Sequence, residues 1–201
     1  MPEPTRIFVA GASGVIGIRL VPLLVAGGHT VAGMTRTPGN ASRLRELGAE
    51  PVVCDVYDAD ALTEAVVAFA PAIVVHQLTD LPDQVDQIPS YGERNVRIRR
   101  EGTANLISAA RAVGGSAVPR FLAQSVAWRL PEPAGEQVLA FERQVLDFSG
   151  VVVRYGQLYG PGTYYPDAPP PPPRVQIDEA ARATVPLLDA EAGIVEVVEE
   201  V

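Results

Sequence analysis

The chain has 201 residues, 47% of them hydrophobic, a formal net charge of −8 and a single cysteine. Its length fits one domain on the usual scale of roughly 100–200 residues, and its apolar fraction can fill a sizeable core. The acidic balance argues against nucleic acid or an anionic membrane as partner, and the lone Cys54 excludes an internal disulfide framework and suits a reducing compartment.

Met1–Arg6 carries no apolar leader, and no run reaches the ~18 apolar residues of a membrane helix, so a soluble cytoplasmic protein is expected. Ile7, Phe8 and Val9 then form a short apolar run of β-formers, which predicts a buried strand. Gly11, Gly14 and Gly17 follow at three-residue spacing, with Val15, Ile16, Leu20, Leu23 and Leu24 recurring behind them at helical intervals. A strand, a glycine turn and a helix start together suit a dinucleotide pyrophosphate. Glycine allows the tight turn and close approach, and unpaired N–H groups at the helix start bind the phosphates. The spacing is G-x-x-G-x-x-G, so the strict G-x-G-x-x-G fingerprint is not met.

Gly27-Gly28-His29 ends that helix, and Thr30–Met34 reads as a second strand with Thr35–Gly39 as the loop beyond it. Ala41–Leu47 predicts a short helix stopped by Gly48, and Glu50–Cys54 a third strand ending at Asp55. Asp58 or Asp60 can cap a helix through about Phe69. Pro71 turns the chain into a β-branched fourth strand, Ala72–His76, and Ser90–Val113 reads as one long helix. Arg120–Gln124 is a fifth strand carrying Ser125 at its end, Glu136–Phe148 a helix, and Val151–Arg154 a sixth strand. Tyr159–Tyr165 is a turn-rich aromatic loop. Pro169–Pro173 predicts extended polyproline II, read as a stiff connector or as a recruiting site for a proline-binding module. Ile177–Leu188 returns to helical periodicity, and Ile194–Val198 reads as a last strand.

Strands alternating with helices predict an α/β, doubly wound parallel Rossmann sheet with helices on both faces. Residues 1–155 would form the nucleotide-binding domain. Residues 156–201 would be a C-terminal segment packed on it. Ligands sit beyond the carboxyl ends of such strands, where Gly11–Gly17, Arg36, Asp55, Gln77–Thr79 and Ser125 all fall.

The chain resembles the extended and atypical short-chain dehydrogenase/reductases, the branch related to nucleotide-sugar epimerases. The matching segments run in family order: Gly11-Ala-Ser-Gly14-Val-Ile-Gly17, Val53-Cys-Asp55, Val74-Val-His76-Gln-Leu, Glu101-Gly102-Thr103-Ala-Asn105-Leu, Phe121-Leu-Ala-Gln-Ser125, Arg154–Gly162 and Val175–Ala183. The resemblance implies that Gly11, Ala12, Ser13, Gly14, Val15, Ile16 and Gly17 hold the pyrophosphate. It also implies that Asp55 and Val56 hold the adenine and that Gln77, Leu78 and Thr79 hold the ribose next to the nicotinamide. Gly156–Tyr159 would approach the nicotinamide itself, with Ser125 at the active-site serine position. Asp55 has a second reading as a turn cap, His76 reads as a core histidine, and an N-cap role alone accounts for Asp178. The long helices Ser90–Val113 and Glu136–Phe148 resemble the pair that dimerises in this family, implying a homodimer.

At the end of the second strand, NAD users generally place a carboxylate that accepts from the ribose 2′-OH. This chain has Thr35 and Arg36, and a guanidinium binds a 2′-phosphate that a carboxylate would repel. NADP(H) is therefore expected, with NAD(H) as the other possibility and no metal; the rival reading of Arg36 is a solvated loop charge.

The family's chemistry uses Tyr-x-x-x-Lys on the helix before the sixth strand, where the lysine lowers the tyrosine pKa. Aligned on Glu142, those positions hold Ala134 and Val138, which transfer no proton. Tyr155, Tyr159, Tyr164 and Tyr165 are the available substitutes, of which Tyr155 and Tyr159 are carried forward with Ser125 as catalytic candidates. Strand alternation points Arg154 away from Tyr155. The cluster Arg94, Arg97, Arg99 and Arg100 reads as a receiver of an anionic substrate or as a solvated helix face. The segments around Trp128–Gln137 and Tyr165–Val175 are shorter than the family's substrate-binding parts. The expected function is an atypical NADP(H)-dependent oxidoreductase acting on a carbonyl or alcohol of unknown identity. The alternative is a non-catalytic dinucleotide-binding redox sensor or regulator. A sugar-nucleotide epimerase would need the missing tyrosine.

Overall fold

The structure is a computed structural model and describes residues 4–114 and 118–200. Apolar runs, β-branched in β4 and β6, form the central strands β1 (Arg6–Ala10), β4 (Ile73–His76), β5 (Arg120–Val126) and β6 (Val151–Tyr155). On one side lie β2 (Thr30–Thr35) and β3 (Glu50–Val53), and on the other β9 (Gly193–Val197). The order is β3-β2-β1-β4-β5-β6-β9, and every pairing is parallel. Parallel strands need crossovers that cover both faces, so these strands are apolar on each side.

Alternation divides the core in two. Ile7, Val9, Val75, Leu122, Val153 and Tyr155 pack under α1 (Gly17–Ala26) and α7 (Ile177–Thr184). Phe8, Ala10, Val74, Phe121, Ala123 and Val152 pack under α3 (Ala59–Phe69), α5 (Thr103–Ala112) and α6 (Ala134–Asp147). A short α2 (Ala41–Glu46) joins β2 to β3. The chain moves outward through β1, β2 and β3, then returns to place β4 on the other side of β1. That reversal puts the topological switch between β1 and β4, where open α/β sheets form their ligand crevice. No helix among the described residues is long and apolar enough to cross a membrane.

Several expectations are revised. The long helix begins as a 3₁₀ stretch, Val85–Tyr91, and then runs as α4 (Gly92–Arg97), a π-turn (Ile98–Gly102) and α5. Periodicity alone does not reveal one wide turn; here Gly102 lies where a Cβ would sit 3.3 Å from Ile98 and Val56. The proline run is not one extended rod. It bends at 171–173, with a cis Pro172–Pro173 bond, and is fixed by bonds from Arg174 to the Pro170 carbonyl (2.9 Å) and from the Gln157 amide N–H to that of Pro173 (2.8 Å). Around it, β7 (Gln157–Tyr159) and β8 (Arg174–Gln176) form a two-stranded parallel pair too short to show periodicity. The late helix ends at Thr184 and continues as a 3₁₀ turn, Val185–Asp189, where Pro186 lacks the N–H an α-helix needs. Its cap is Gln176, whose Oε1 accepts from the Asp178 and Glu179 N–H groups. Asp178 instead binds Arg19 at 2.6 Å, tying α7 to α1. Asp58, not Asp60, caps α3 by accepting from the Ala61 N–H.

Candidate functional site

The carboxyl ends of β1, β2, β3 and β4 surround a crevice of about 170 Å³, lined by Gly11, Ser13, Gly14, Met34–Thr37, Asp55–Tyr57, Gln77–Thr79 and Ile98. Gly11 has φ +88°, and a Cβ there would lie 2.7 Å from the Gln77 carbonyl. At Gly17 a Cβ would lie 2.3 Å from the Gly11 carbonyl. These two glycines are therefore required by the chain's own close packing. Gly14 is the one that lies exposed on the crevice wall. The other members of the turn divide likewise. Ala12 and Ile16 are buried in the core and Val15 packs against it, while Ser13 joins the crevice lining.

Helix α1 starts with no side-chain cap and no acidic residue in its first turn, so its positive end is uncompensated. Thr35, buried at the end of β2, holds the turn through a 3.0 Å hydroxyl contact with Ser13 and also accepts from the Thr37 N–H. Asp55 accepts from the Tyr57 N–H at 3.0 Å in a local turn, and Val56 is buried with its carbonyl bound by Asn105. Thr79 lies exposed on the rim.

Gln77 is 6% exposed, and its Oε1 is the one buried side-chain polar atom without a partner among the described residues. Its Nε2 donates to the Tyr155 hydroxyl, and its carbonyl accepts from Gln124. An unpaired buried acceptor is costly, and the residue that carries it lines the crevice. This orphan acceptor, the uncapped helix start and the glycine cradle together fit a dinucleotide. Gly11, Ser13 and Gly14 would face its phosphates, and Gln77–Thr79 would face a ribose.

Arg36 follows Thr35 on the crevice rim with its side chain 56% exposed, and reaches Asp80 at 3.5 Å. The four arginines of the cluster do not share a face. Arg94 binds Asp80, Arg97 binds Glu101 and stacks on Tyr57, Arg99 lies half-buried near Phe141 and Glu142, and Arg100 is exposed.

Ser125 is buried, and its hydroxyl donates to Glu142 Oε1 at 2.6 Å. Arg154 grips the same carboxylate with Nε (2.9 Å) and a terminal nitrogen (2.6 Å). Burial pushes Glu142 up, but the bonds from Arg154 and Ser125 and the charges of Arg154 and Arg99 bring it below the ordinary carboxylate value. Glu142 lies two turns beyond Ala134 and one beyond Val138, so one face of α6 carries all three.

Tyr155 points to the opposite side of the sheet from Arg154 and is 2% exposed. Thr184 gives its proton to the Ala180 carbonyl, so Tyr155 donates to Thr184 at 2.6 Å. Burial raises Tyr155 despite the bonds to Thr184 and Gln77. The Tyr159 hydroxyl donates to Glu199, which raises it, as does its desolvation. Neither hydroxyl opens onto the crevice. His76 is a core residue: its Nδ1 accepts from the Leu78 N–H, which leaves Nε2 to donate to Thr103. Burial and then Arg99 lower its pKa to about 3. Among the described residues, no cluster of His, Cys, Asp and Glu could hold a metal ion.

Sequence reasoning missed Arg19, Asp80 and the function of Glu142. Arg19 fixes the loop beyond β7 by donating to the Pro161 carbonyl as well as to Asp178. Contacts 142 and 159 residues apart leave no local signal.

A Streptomyces protein named 3-diazoavenalumate denitrifying reductase is 41% identical over 184 residues, 80% of this chain; the chain spans 58% of that protein's length. A 3-beta-hydroxysteroid dehydrogenase of Mycolicibacterium neoaurum is 29% identical over 128 residues, 61% of this chain and 34% of its own. The UDP-glucose 4-epimerase of Thermus thermophilus, solved with NAD, superimposes with a TM-score of 0.77 at 21% identity, covering 96% of this chain and 77% of its own. The family model for the NAD dependent epimerase/dehydratase family matches residues 7–127. With the glycine turn, the switch point and the seven parallel strands in place, the chain belongs to that NAD(P)-binding family of short-chain dehydrogenase/reductase-like oxidoreductases.

Proposed function

We propose that this chain is an NADP(H)-dependent reductase whose acceptor takes a hydride without a proton from the protein, and that this acceptor is an aryl diazonium cation. The observation that carries the reading is the α6 face, where Ala134 and Val138 stand at the proton-transfer positions and Glu142 is locked to Arg154 and Ser125. All 16 basic Lys and Arg residues of the chain are arginine, so no lysine elsewhere replaces the missing one. Reducing a carbonyl leaves an alkoxide that must be protonated. Tyr155 is buried and raised, Tyr159 is held by Glu199, and Ser125 directs its hydroxyl to Glu142. When bound, the nicotinamide supplies a hydride, which turns an aryl diazonium cation into the arene and N2, the charge passing to the oxidised nicotinamide with no further proton needed. The name of the Streptomyces relative, a denitrifying reductase of a diazo compound, agrees with that chemistry.

The preference for a 2′-phosphate rests on Arg36, which stands at the crevice rim where NAD users place a carboxylate. Gly11, Ser13, Gly14, Asp55, Val56, Gln77, Leu78 and Thr79 form the remaining cofactor contacts in this reading.

The test is NADPH and NADH binding by fluorescence, then NADPH consumption and N2 release with an aryl diazonium beside a panel of aldehydes and ketones. Turnover of the diazonium alone, unchanged in Tyr155→Phe and Tyr159→Phe, is the expected result. Carbonyl reduction that disappears in either tyrosine variant would overturn the acceptor. Tight binding with no turnover anywhere would favour a non-catalytic regulator.

A further inference from the structure

Two guanidiniums share one carboxylate at the rim of the crevice. Asp80, in the loop beyond β4, has a side chain only 7% exposed. Arg94 on α4 takes it as a fork, Nε to Oδ2 at 3.1 Å and a terminal nitrogen to Oδ1 at 2.9 Å. The Arg94 guanidinium also lies over the Tyr91 ring at 4.4 Å, and the Asp80 N–H donates to Asn95, so the loop and α4 hold each other. Arg36 reaches the same carboxylate from β2 with a single contact of 3.5 Å. The two attachments are unequal: a bidentate pair is directional and strong, and a lone long contact is weak and exchangeable.

We propose that Arg94 is a specificity-determining residue for the phosphorylated dinucleotide: by claiming Asp80 it leaves the Arg36 guanidinium free to receive the 2′-phosphate. The inference rests on the NADP(H) reading of the crevice and adds residues outside the crevice lining. The three groups together carry one positive charge, where Arg36 and Asp80 alone would carry none. Without Arg94 the carboxylate would draw Arg36 into its own ion pair, and Arg36 could meet the incoming phosphate only by leaving that carboxylate uncompensated. It would be neutral or helpful toward NADH, because a free carboxylate at that rim can accept from a ribose 2′-OH. Arg94 is thus a positioning residue that touches no cofactor atom; its effect passes through Asp80 to Arg36.

The experiment measures dissociation constants for NADPH and NADH in wild type, Arg36→Ala, Arg94→Gln, Asp80→Asn and the Asp80→Asn/Arg94→Gln double variant, with thermal melting of each. Arg94→Gln is expected to lower the NADPH-over-NADH preference roughly fivefold, the scale of a partly exposed charge pair. Asp80→Asn alone is expected to keep or raise the preference, and the double variant to restore it, because the charge that Arg94 neutralises is gone. A merely structural loss would weaken both dinucleotides together and would not be rescued by a second substitution. If wild type prefers NADPH and Arg36→Ala abolishes that, but Arg94→Gln leaves the ratio intact or the double variant fails to recover, the role of Arg94 is refuted and the NADP(H) reading stands. If wild type shows no preference, or Arg36→Ala does not change it, both fall.

Discussion

Replacing Arg154 by Met tests whether the carboxylate on α6 is held as tightly as its contacts imply. Glu142 is 3% exposed and Arg154 26% exposed at their side chains, and the pair is joined by two bonds of 2.9 and 2.6 Å. Breaking such a pair from one side costs about 3–5 kcal/mol, because a buried charge is left uncompensated. Ser125 and the Arg99 charge remain with Glu142, so the lower end, about 3 kcal/mol, is expected. For a chain of this length that corresponds to a melting temperature lower by about 6–12 °C. The sign with pH follows from the carboxyl. In the wild type Glu142 lies below its ordinary value of 4.5, so its stabilisation is present above that value and lost as pH falls through the folded pKa. In the variant burial prevails and the folded carboxyl titrates higher, so the gap between the two proteins is widest near neutrality and closes on acidification. Glu142→Met/Arg154→Met, which removes both charges, is expected to regain most of the loss. Thermal melts of the three proteins from about pH 7 down through the ordinary carboxylate range read all of this. A drop under about 2 °C near neutrality, or a gap that widens in acid, would show that the pair is no more than a surface bridge.

Gly17→Val is expected to unfold the glycine turn and abolish dinucleotide binding, since its Cβ would lie 2.3 Å from the Gly11 carbonyl. By contrast, Gly14→Ala, whose Cβ would meet the same carbonyl at 3.2 Å, is expected to keep the fold with a melting shift of about 3 °C or less and to weaken binding alone. Circular dichroism and NADPH titration separate the two; equal melting loss in both would count against the packing argument. His76, with a pKa of about 3, is expected to show imidazole proton NMR shifts that do not move between about pH 8 and about pH 5, where an ordinary histidine titrates. Its contribution to stability is complete above its ordinary 6.5 and falls away as pH drops toward the folded value, by about 1.4 kcal/mol per pH unit in between. A midpoint near neutrality would mean that the ring is not buried as described.

Much of the molecule was legible in its residues because the relevant forces are local. The apolar run Ile7–Val9, the spaced glycines and the helical recurrence of Leu20, Leu23 and Leu24 placed the first crossover. The β-branched runs placed β4 and β6. The opposed orientation of Arg154 and Tyr155 follows from strand alternation alone, and the core position of His76 was read from the apolar strand that holds it. Three-residue strands such as β7 and β8 gave no comparable signal, since too few side chains alternate within them. The capping glutamine at 176 was hidden by the more usual Asp178 two residues later.

The amino-acid sequence by itself determined the fold class and the crevice at the carboxyl ends of the strands, because periodicity, turn chemistry and residue identity are properties of neighbours along the chain. Only the tertiary structure decided that Gly11 and Gly17 serve packing, that Ser125 points to Glu142, that Tyr155 ends on Thr184, and that Arg36 and Arg94 meet at Asp80. Each of these is a meeting of residues from different elements, and the direction of a hydroxyl or a guanidinium is set by what the fold brings beside it.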